Sequence, residues 1–455
     1  MRLLLSVFIF LTHMSYADSA PVELTLEKSV STAIQNSFSV LKAENTVHLN
    51  AAQVLQSYGR FLPNLATTGS YSYQNGKTLY AITGLNLVDA KSRNANWTVT
   101  SRLNIFNGLA DFASLKGAVA AKNAAGLSLD FARQQIALDV AQTYLQVVLD
   151  GQIVKIAEKN LVSSQQRLRL FQGEEEVGVV SVADLSRQQA QTSSDQVFLT
   201  NAITRQKDDL LLLVQKLRLD SAKAYEVKDP QVTLGVDVVP QSEDMLIASA
   251  MKGRLDFLSS EQSIQSAHWG VMTARSDYYP KLDLALSRSA GGSYLDSQIV
   301  NGVNTLPAFQ SSLGSQVGNV VNYSAGLMLS WNIFDRFVTR LNVEQARISE
   351  DNLRLDQENL RLQIVSQIRQ VKFDYAAAKS QYEATRVGVQ AAEKADATIT
   401  GQYHVGVSSL LDVLTAQTAL VQAQSSQSQA AINLKLQEIL LEYNVGNSLT
   451  TLMKD

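Results

Sequence analysis

Cysteine is absent from all 455 residues of the chain, so the sequence can build neither a disulfide framework nor a thiolate metal site. Long apolar runs are missing as well. Beyond the N-terminus, no segment approaches the roughly 18 consecutive apolar residues that a membrane-spanning helix needs. If this protein enters a membrane, we therefore expect it to do so as β-strands.

The chain also has few charged residues and no large excess of either sign. The net charge is −3 and charged residues make up only 18% of the chain, so no basic field indicates a nucleic-acid partner. Proline is limited to six residues. Because proline interrupts helices, the long spans between these prolines can be continuous helices.

Motifs for catalysis and metal binding are missing too. The sequence has no P-loop, no HExxH and no GxSxG, and its four histidines, at positions 13, 48, 268 and 404, are scattered. We therefore predict a protein that is not an enzyme and that holds no metal and no cofactor.

The N-terminus is typical of a secretory signal peptide. Arg2 precedes a short apolar run at 3–11, and small residues follow at Ser15 and Ala17. We predict a signal peptide over residues 1–17; the alternative is a buried N-terminal strand. Export without cysteine favours a bacterial envelope protein.

The strongest positive signal is an internal duplication. The segment LNIFNG at 103–108 returns as WNIFDR at 331–336, and the Val-Gly-Val turn at 177–179 returns at 405–407. Both pairs are displaced by 228 positions (332 − 104 and 406 − 178), whereas Pro63 and Pro280 are displaced by 217 (280 − 63). We predict two tandem repeats, 18–240 and 241–455, with a loop of free length after Pro63.

Helical hairpins are predicted in each repeat. The predicted helices cover 26–57, 109–175 and 182–219 in the first repeat, and 245–276, 338–403 and 410–443 in the second. Each longest span would extend about 100 Å as a straight helix. Ala137, Val140, Tyr144 and Val147 have the spacing of a coiled-coil seam. Two shorter helices, placed end to end, match one long helix in length.

Two strands are predicted in each repeat, at 65–73 and 96–106, and at 281–289 and 321–334. Apolar and polar residues alternate along them, as in membrane barrels, although a soluble sheet with one wet face is an alternative on pattern alone. The Gly-, Ser- and Asn-rich segments 74–95 and 290–319 are predicted as exposed loops. Four strands cannot close a barrel, so several chains would have to pool theirs.

The repeated hairpins, the strand pairs and the Val-Gly-Val turns followed by Ser and Asp resemble the TolC family of outer membrane efflux ducts. The resemblance runs from about Leu24 to Gly446. It implies a fold that is mainly α with a membrane β-barrel portion: a homotrimer pools its strands into a barrel of about twelve, and its helices form a periplasmic tunnel. The segments 220–243 and after Tyr443 resemble the equatorial collar of the family.

The resemblance also implies a location in the outer membrane of a Gram-negative bacterium, in contact with its lipid. The expected function is a passive export duct of a tripartite efflux or type I secretion system, opened by a periplasmic adaptor and an inner-membrane transporter. The alternative is a periplasmic coiled-coil scaffold or adhesion protein without channel activity. Drugs, metal ions and secreted proteins all remain open as cargo.

Candidate site residues follow from the same resemblance. Asp412, with Tyr403 and Thr415, matches the tunnel constriction, where threefold symmetry would create a ring of carboxylates that attracts cations. A structural interpretation stays open beside it, because Ser409 and Asp412 also fit a capping box. Ser181 and Asp184, after the first turn, fit the same motif. The residues expected at the hairpin tips and in adaptor docking are Val177, Gly178, Val179, Ser181, Asp184, Val405, Gly406, Val407 and Ser409.

Two positions depart from the family pattern. A second Asp that some members carry one turn after the first is Thr415 here, and an Arg after the second turn is Ser408. The closed state must therefore be locked by other contacts.

Overall fold

The computed structural model describes residues 21–80, 86–228, 242–300, 302–307 and 309–447. The predicted signal peptide and most of the predicted collar segments lie outside these ranges. The chain forms two compact units. One comprises the described parts of Met1–Glu44, Ser128–Leu255 and Arg361–Asp455, and the other comprises those of Asn45–Leu127 and Asp256–Leu360.

Helices make up most of the described chain. They are α1 (Leu26–Asn36), α2 (Phe38–Gly59), α3 (Ala110–Glu176), α4 (Val182–Leu217), α5 (Glu243–Gly253), α6 (Leu255–Arg275), α7 (Leu313–Asn319), α8 (Val338–His404) and α9 (Leu410–Val445). A short 3-10 segment, Ser276–Tyr278, follows α6. Over the described residues, none of the helices combines the length and the apolar content needed to cross a bilayer.

The duplication is visible in the helix lengths. α3 and α8 have 67 residues each, and α4 and α9 have 36 each. Each pair is displaced by 228 positions (338 − 110 and 410 − 182). Even the residues that end α4 and α9, Arg218 and Gly446, are equivalent, and both adopt left-handed backbone conformations. The long helices therefore have the same number of residues in the two repeats.

The coiled-coil seam predicted on α3 is confirmed. Ala137, Val140, Tyr144 and Val147 are all buried in one apolar core with Leu213 of α4. The Tyr144 hydroxyl lies 3.0 Å from the carbonyl oxygen of Leu24 and 2.6 Å from that of Lys228. It therefore fastens α3 to the ends of β1 (Val22–Leu24) and β4 (Tyr225–Val227), which pair in parallel.

Two predicted helices are each divided in two. The segment 26–57 breaks at Ser37 and the segment 245–276 breaks at Arg254, positions that are repeat-equivalent (254 − 37 is 217) and extended in backbone conformation. Near the first break, Arg218 donates to the carbonyl of Asn36 (2.6 Å). At the second, Arg254 itself donates to Asn444 (3.3 Å). Long-range hydrogen bonds thus stabilise breaks that helix propensity does not mark.

The second unit contains an antiparallel sheet in the order β2-β3-β5-β7. Its strands are β2 (Asn64–Tyr80), β3 (Asn86–Asn107), β5 (Lys281–Val300), the two-residue β6 (Val303–Asn304), which pairs antiparallel with the end of β5, and β7 (Val321–Ser330). The strands therefore bring the two repeats into one sheet, with β3 of the first repeat beside β5 of the second.

The loop predictions are wrong over most of their length. β2 and β3 continue pairing through segment 74–95 as far as Tyr80 and Asn86, and β5 runs through 290–300. Gly, Ser and Asn have low strand propensity, but ladder hydrogen bonds with neighbouring strands override it. At the other end, the predicted strand 321–334 stops at Ser330, before Arg336 and Phe337, which have positive φ.

The strand register separates two faces of this sheet, because paired residues share a face and successive residues alternate. We call one the apolar face; it includes Leu65, Trp97, Val99, Leu103, Leu284, Leu286, Tyr323, Leu327 and Leu329. The other, the polar face, includes Thr68, Thr98, Thr100, Arg102, Ser287, Ser289, Asn322 and Ser324. The alternation predicted from the sequence is thus confirmed.

A buried carboxylate interrupts the apolar packing between α3 and α4. The Asp150 side chain is only 5% exposed, and its Oδ1 accepts from Gln146 Nε2 (3.1 Å) and lies 3.3 Å from Arg205 Nε. Burial, together with the neighbouring Asp209 carboxyl, raises the pKa of Asp150 to about 7, although the Arg205 charge acts in the opposite direction.

We expect Asp150→Asn to stabilise the protein above neutral pH. Because the folded-state pKa lies above the unfolded value of 3.8, the destabilisation grows as pH rises from 3.8 towards 7 and is complete above 7. Asparagine keeps an acceptor for Gln146 and avoids the charge, which should raise the free energy of unfolding by roughly 1–3 kcal/mol at pH 8. Thermal unfolding in detergent at pH 8 and pH 4 measures this, and the gain should shrink at pH 4.

Asp139→Asn is the matched control for this prediction. Asp139 is exposed on the same helix and pairs with Lys216 (2.7 Å), so its neutralisation should lower stability slightly at pH 8. Equal or lower stability of Asp150→Asn at pH 8 would contradict the prediction.

Candidate functional site

The two turns predicted as hairpin tips have the same backbone geometry. Gly178 and Gly406 both have φ +77. In the first turn, the N–H of Gly178 donates to the carbonyl of Glu175 (2.9 Å) and that of Val179 donates to Glu174 (2.8 Å). The corresponding distances in the second turn are 3.0 and 2.8 Å. This is the Schellman pattern, which places a left-handed residue just after a helix, so glycine, which lacks a Cβ, is favoured there.

Valines flank each glycine and point into solvent. Val177 and Val179 are each 73% exposed, and Val405 and Val407 are 75% and 74% exposed. Four β-branched apolar side chains at the ends of two polar hairpins are unfavourable unless something covers them. The two turns therefore expose matched pairs of apolar side chains.

Ser409 caps α9 with a complete capping box. Its hydroxyl accepts from the Asp412 N–H (3.3 Å), while the Asp412 carboxylate accepts from the Ser409 N–H (2.9 Å). Ser181 caps α4 in the same way (3.1 Å from the Asp184 N–H), but there the Asp184 carboxylate accepts from the Ser181 hydroxyl and pairs with Arg187 instead. Both hydrogen bonds of the predicted capping box are present at Ser409, whereas at Ser181 only the bond to the serine hydroxyl is present.

Asp412 is exposed on the first turn of α9 and is held as a carboxylate. The hydrogen bonds from the Ser409 hydroxyl and from the Ser409 N–H hold the pKa of that carboxyl below its usual range. Thr415 is exposed one turn later on the same helix, and its hydroxyl donates back to the Leu411 carbonyl (2.8 Å). Capping and an exposed negative charge thus coexist in one residue.

Tyr403 lies apart from this exposed pair. Its ring is partly buried against Phe171 of α3, with ring centroids 6.2 Å apart. Burial raises the pKa of the Tyr403 hydroxyl, and the charges of Glu174 and Asp184 add to the effect. The ends of α3 and α8 are therefore in contact, and Tyr403 belongs to that contact.

A polar contact that sequence reasoning missed joins α3 to α9. Arg167 donates to the side-chain oxygen of Gln417, and Gln417 donates in turn to Asn160 (2.9 Å). Nε of Arg167 is buried and has no hydrogen-bond partner in the described structure, and burial lowers the pKa of this guanidinium. The available signal was the broken repeat symmetry, because Arg167 corresponds to Ala395 (395 − 167 is 228).

The same residues border a space between the helix ends. A cavity of about 550 Å³ lies between α3, α8 and α9, with Arg167, Asp396 and Tyr403 among its walls. Packing is thus incomplete where the hairpins approach their turns, and the Arg167 contact joins α3 to α9 beside this space.

Both halves of the chain match one family model. The model is described as outer membrane efflux protein, and it matches residues 29–217 and 246–447. The interruption between the matched segments falls at the boundary predicted between the repeats. The match therefore covers the long helices, the sheet and the tip turn of each repeat.

Curated relatives are similar over most of their length. The outer membrane protein TolC of Escherichia coli (strain K12) is 22% identical over 389 residues, covering 85% of this chain and 74% of the relative. The outer membrane efflux protein BepC of Brucella suis biovar 1 is 23% identical over 436 residues, covering 94% and 86%.

Solved structures share the fold. CusC matches with a TM-score of 0.78 at 16% identity, covering 95% of this chain and 96% of that one. VceC from Vibrio cholerae matches with a TM-score of 0.77 at 16% identity, covering 93% and 96%. At these identities the structures support the architecture and not individual residue roles.

We expect Ser409→Ala to loosen the start of α9. Loss of the hydroxyl acceptor leaves the Asp412 N–H unsatisfied, which costs about 1 kcal/mol for a typical N-cap. Hydrogen exchange at the first turn of α9 should then speed up about fivefold. Ser408→Ala is the control, because the Ser408 hydroxyl donates to the Gln402 side chain (2.9 Å) and caps nothing. Equal acceleration in both variants would contradict a specific capping role.

Proposed function

The chain belongs to the outer membrane efflux protein family, and from that membership we propose how its own residues close and open an export duct. Its function as an outer membrane efflux channel follows from the family and from relatives such as TolC. The match of both repeats to the family model is the observation that carries this assignment. The alternative of a periplasmic scaffold without channel activity has no such support.

Family members are channels rather than enzymes, and they work as homotrimers with a periplasmic adaptor and an inner-membrane transporter. For this chain, we infer a trimer whose sheets close into a membrane barrel and whose helices line the periplasmic passage. The unpaired outer edges of β2 and β7 support this assembly, because they need partners in lipid.

The constriction is assigned to the first turn of α9. Asp412 is exposed, is held ionised by its cap, and recurs three times in a trimer. Three carboxylates around one axis would attract cations and allow a bound cation to obstruct the passage. Thr415 lies on the same exposed stretch and adds no charge, so the trimer would have one ring of carboxylates here rather than two. Tyr403 supports the closed form through its contact with Phe171.

Adaptor docking is assigned to the two turns. The exposed valines beside Gly178 and Gly406 supply apolar contacts, and the rigid Schellman geometry fixes their direction. An interface with apolar centre and polar surroundings is the usual form of protein association sites. Ser181, Asp184 and Ser409 hold the helix starts that follow these turns.

The Arg167–Gln417 contact is assigned the role of holding α9 in the closed state. It joins α3, which precedes the first turn, to α9, which carries Asp412. Outward movement of α9 must break it and must move Gln417 away from Asn160 as well. A lock at this position replaces the one that Ser408 cannot supply.

Cargo selection is assigned to the transporter and not to this chain. Relatives in the family are named for export of solvents, of toluene and of pyoverdine. A single duct architecture thus serves chemically unlike cargoes, so the walls of the passage need no specific binding site.

We expect the detergent-purified protein to form small, cation-selective channels in planar bilayers that divalent cations block. Asp412→Asn should weaken that block about tenfold or more, because the carboxylate ring is neutralised. The control is Asp184→Asn, the repeat-equivalent residue, which should leave the block unchanged. Block that is unchanged in Asp412→Asn would reduce this residue to a helix cap. Protein that stays soluble without detergent and carries no current would refute the duct itself.

We expect Arg167→Ala to raise the open-channel conductance or the open probability about fivefold, since one partly buried charge-assisted hydrogen bond to Gln417 is lost. Arg169→Ala is the control, because Arg169 is exposed on the same helix two residues away. Single-channel recording without adaptor measures both. Equal behaviour of Arg167→Ala and the wild type would exclude this contact as the lock.

A further inference from the structure

Arg288 carries a positive charge on the apolar face of the sheet. It lies on β5, paired with Val99 of β3 and with Tyr323 of β7. Two residues earlier on the same face of β5 is Leu286, and two before that is Leu284. An exposed arginine within such a surface is costly in a bilayer unless its charge is compensated.

Two aromatic rings hold the Arg288 guanidinium. Its carbon Cζ lies 5.7 Å from the centroid of the Trp97 ring and 5.6 Å from that of Tyr323. Both distances are within the range of cation–π attraction. The guanidinium is therefore positioned between rings from two neighbouring strands rather than left mobile.

A second arginine on the same face shows what Arg288 lacks. Arg93 lies over the Tyr294 ring (4.9 Å) and is also paired with Asp296 at 2.6 and 3.0 Å. Across the described parts of the chain, Arg288 has rings but neither an ion pair nor a hydrogen bond of its own. Its five N–H donors are thus available to an anion from outside the chain.

The position of Arg288 along β5 suits a membrane interface. It is seven residues from Lys281, the first residue of β5 (288 − 281). At a typical strand tilt of about 40°, this separation corresponds to a rise of roughly 18 Å along the barrel axis. The apolar band of a membrane barrel is about 25 Å tall, and a long side chain can extend towards its edge. Trp97 and Tyr323 belong to the residue types that concentrate at this edge.

We propose that Arg288, between Trp97 and Tyr323, binds the phosphate group of a lipid in the outer leaflet of the outer membrane. The inference rests on the proposed function, because β5 begins beside the helices, which that function places in the periplasm. Guanidinium and phosphate match as a two-pronged hydrogen-bonding pair. The phosphate supplies the negative charge that Asp296 supplies to Arg93.

A lipid fits this site better than a free phosphate ion does. Arg288 borders an open pocket of about 490 Å³, and Val99 and Leu286 form part of its apolar wall. An acyl chain can lie along that wall while its phosphate contacts the guanidinium. A free phosphate ion would gain nothing from these side chains.

The test titrates the purified, detergent-solubilised trimer with diphosphoryl lipid A and with its dephosphorylated form, with bound lipid counted by native mass spectrometry. The wild type should bind the phosphorylated lipid more tightly than the dephosphorylated one. Arg288→Gln should bind it about tenfold more weakly, the size expected for one lost charge-assisted hydrogen bond. Arg288→Lys keeps the charge but loses the two-pronged guanidinium geometry, so its affinity for the lipid should lie between those of the wild type and Arg288→Gln.

Arg102→Gln is the matched control. Arg102 is an exposed arginine of β3 on the polar face, so its loss should leave lipid binding at the wild-type level. Equal binding by Arg288→Gln and the wild type, equal binding of the dephosphorylated lipid, or full competition by inorganic phosphate would each overturn the inference. Bilayer conductance of the same samples separates the two proposals, because a conducting protein without selective lipid binding refutes only this one.

Discussion

Backbone hydrogen bonding at the edges of one sheet constrains the rest of this structure. In the described chain, β2 pairs only with β3, and β7 pairs with β5 alone. Each outer edge presents a row of unsatisfied N–H and C=O groups next to an apolar face. In water such edges invite association, and in lipid they are prohibitive. Assembly is therefore a consequence of the sheet and not an addition to a finished monomer.

The second constraint is equal length. α3 and α8 agree in length, as do α4 and α9, whereas the paired strands differ freely between the repeats. Helices that pack along one another must keep their residues in step, since an insertion would rotate every later side chain off its seam. Strands that end in loops carry no such requirement. The difference explains why one offset, 228, holds along the helices and another, 217, holds before the sheet.

The proposed constriction and the proposed lock both lie where the symmetry of the two repeats is broken. The two turns share their glycine geometry and their capping serines, but only the second carries a complete capping box with Asp412. Arg167 likewise has no counterpart at Ala395, and it supplies a contact that only one repeat makes. The two repeats share one backbone framework, and single residue differences within it make the two tips structurally unlike.

The sequence by itself determined the duplication, the long helices, the turns at Gly178 and Gly406, and the alternation of the strands. Each of these depends on a local or periodic property: the spacing of the prolines, the period of the apolar residues, or the preference for glycine where φ is positive. It was silent on the helix breaks at Ser37 and Arg254.

Only the tertiary structure decided those breaks, the extension of β2 and β5 through Gly- and Ser-rich segments, and the neighbours of Arg167 and Arg288. In each case the stabilising contact comes from a residue on another helix or strand. A carbonyl of Asn36 reached by Arg218, or a ring of Trp97 beside Arg288, leaves no trace in local composition. Periodicity reports which face is buried, whereas hydrogen-bond and charge partners depend on which distant segment lies opposite.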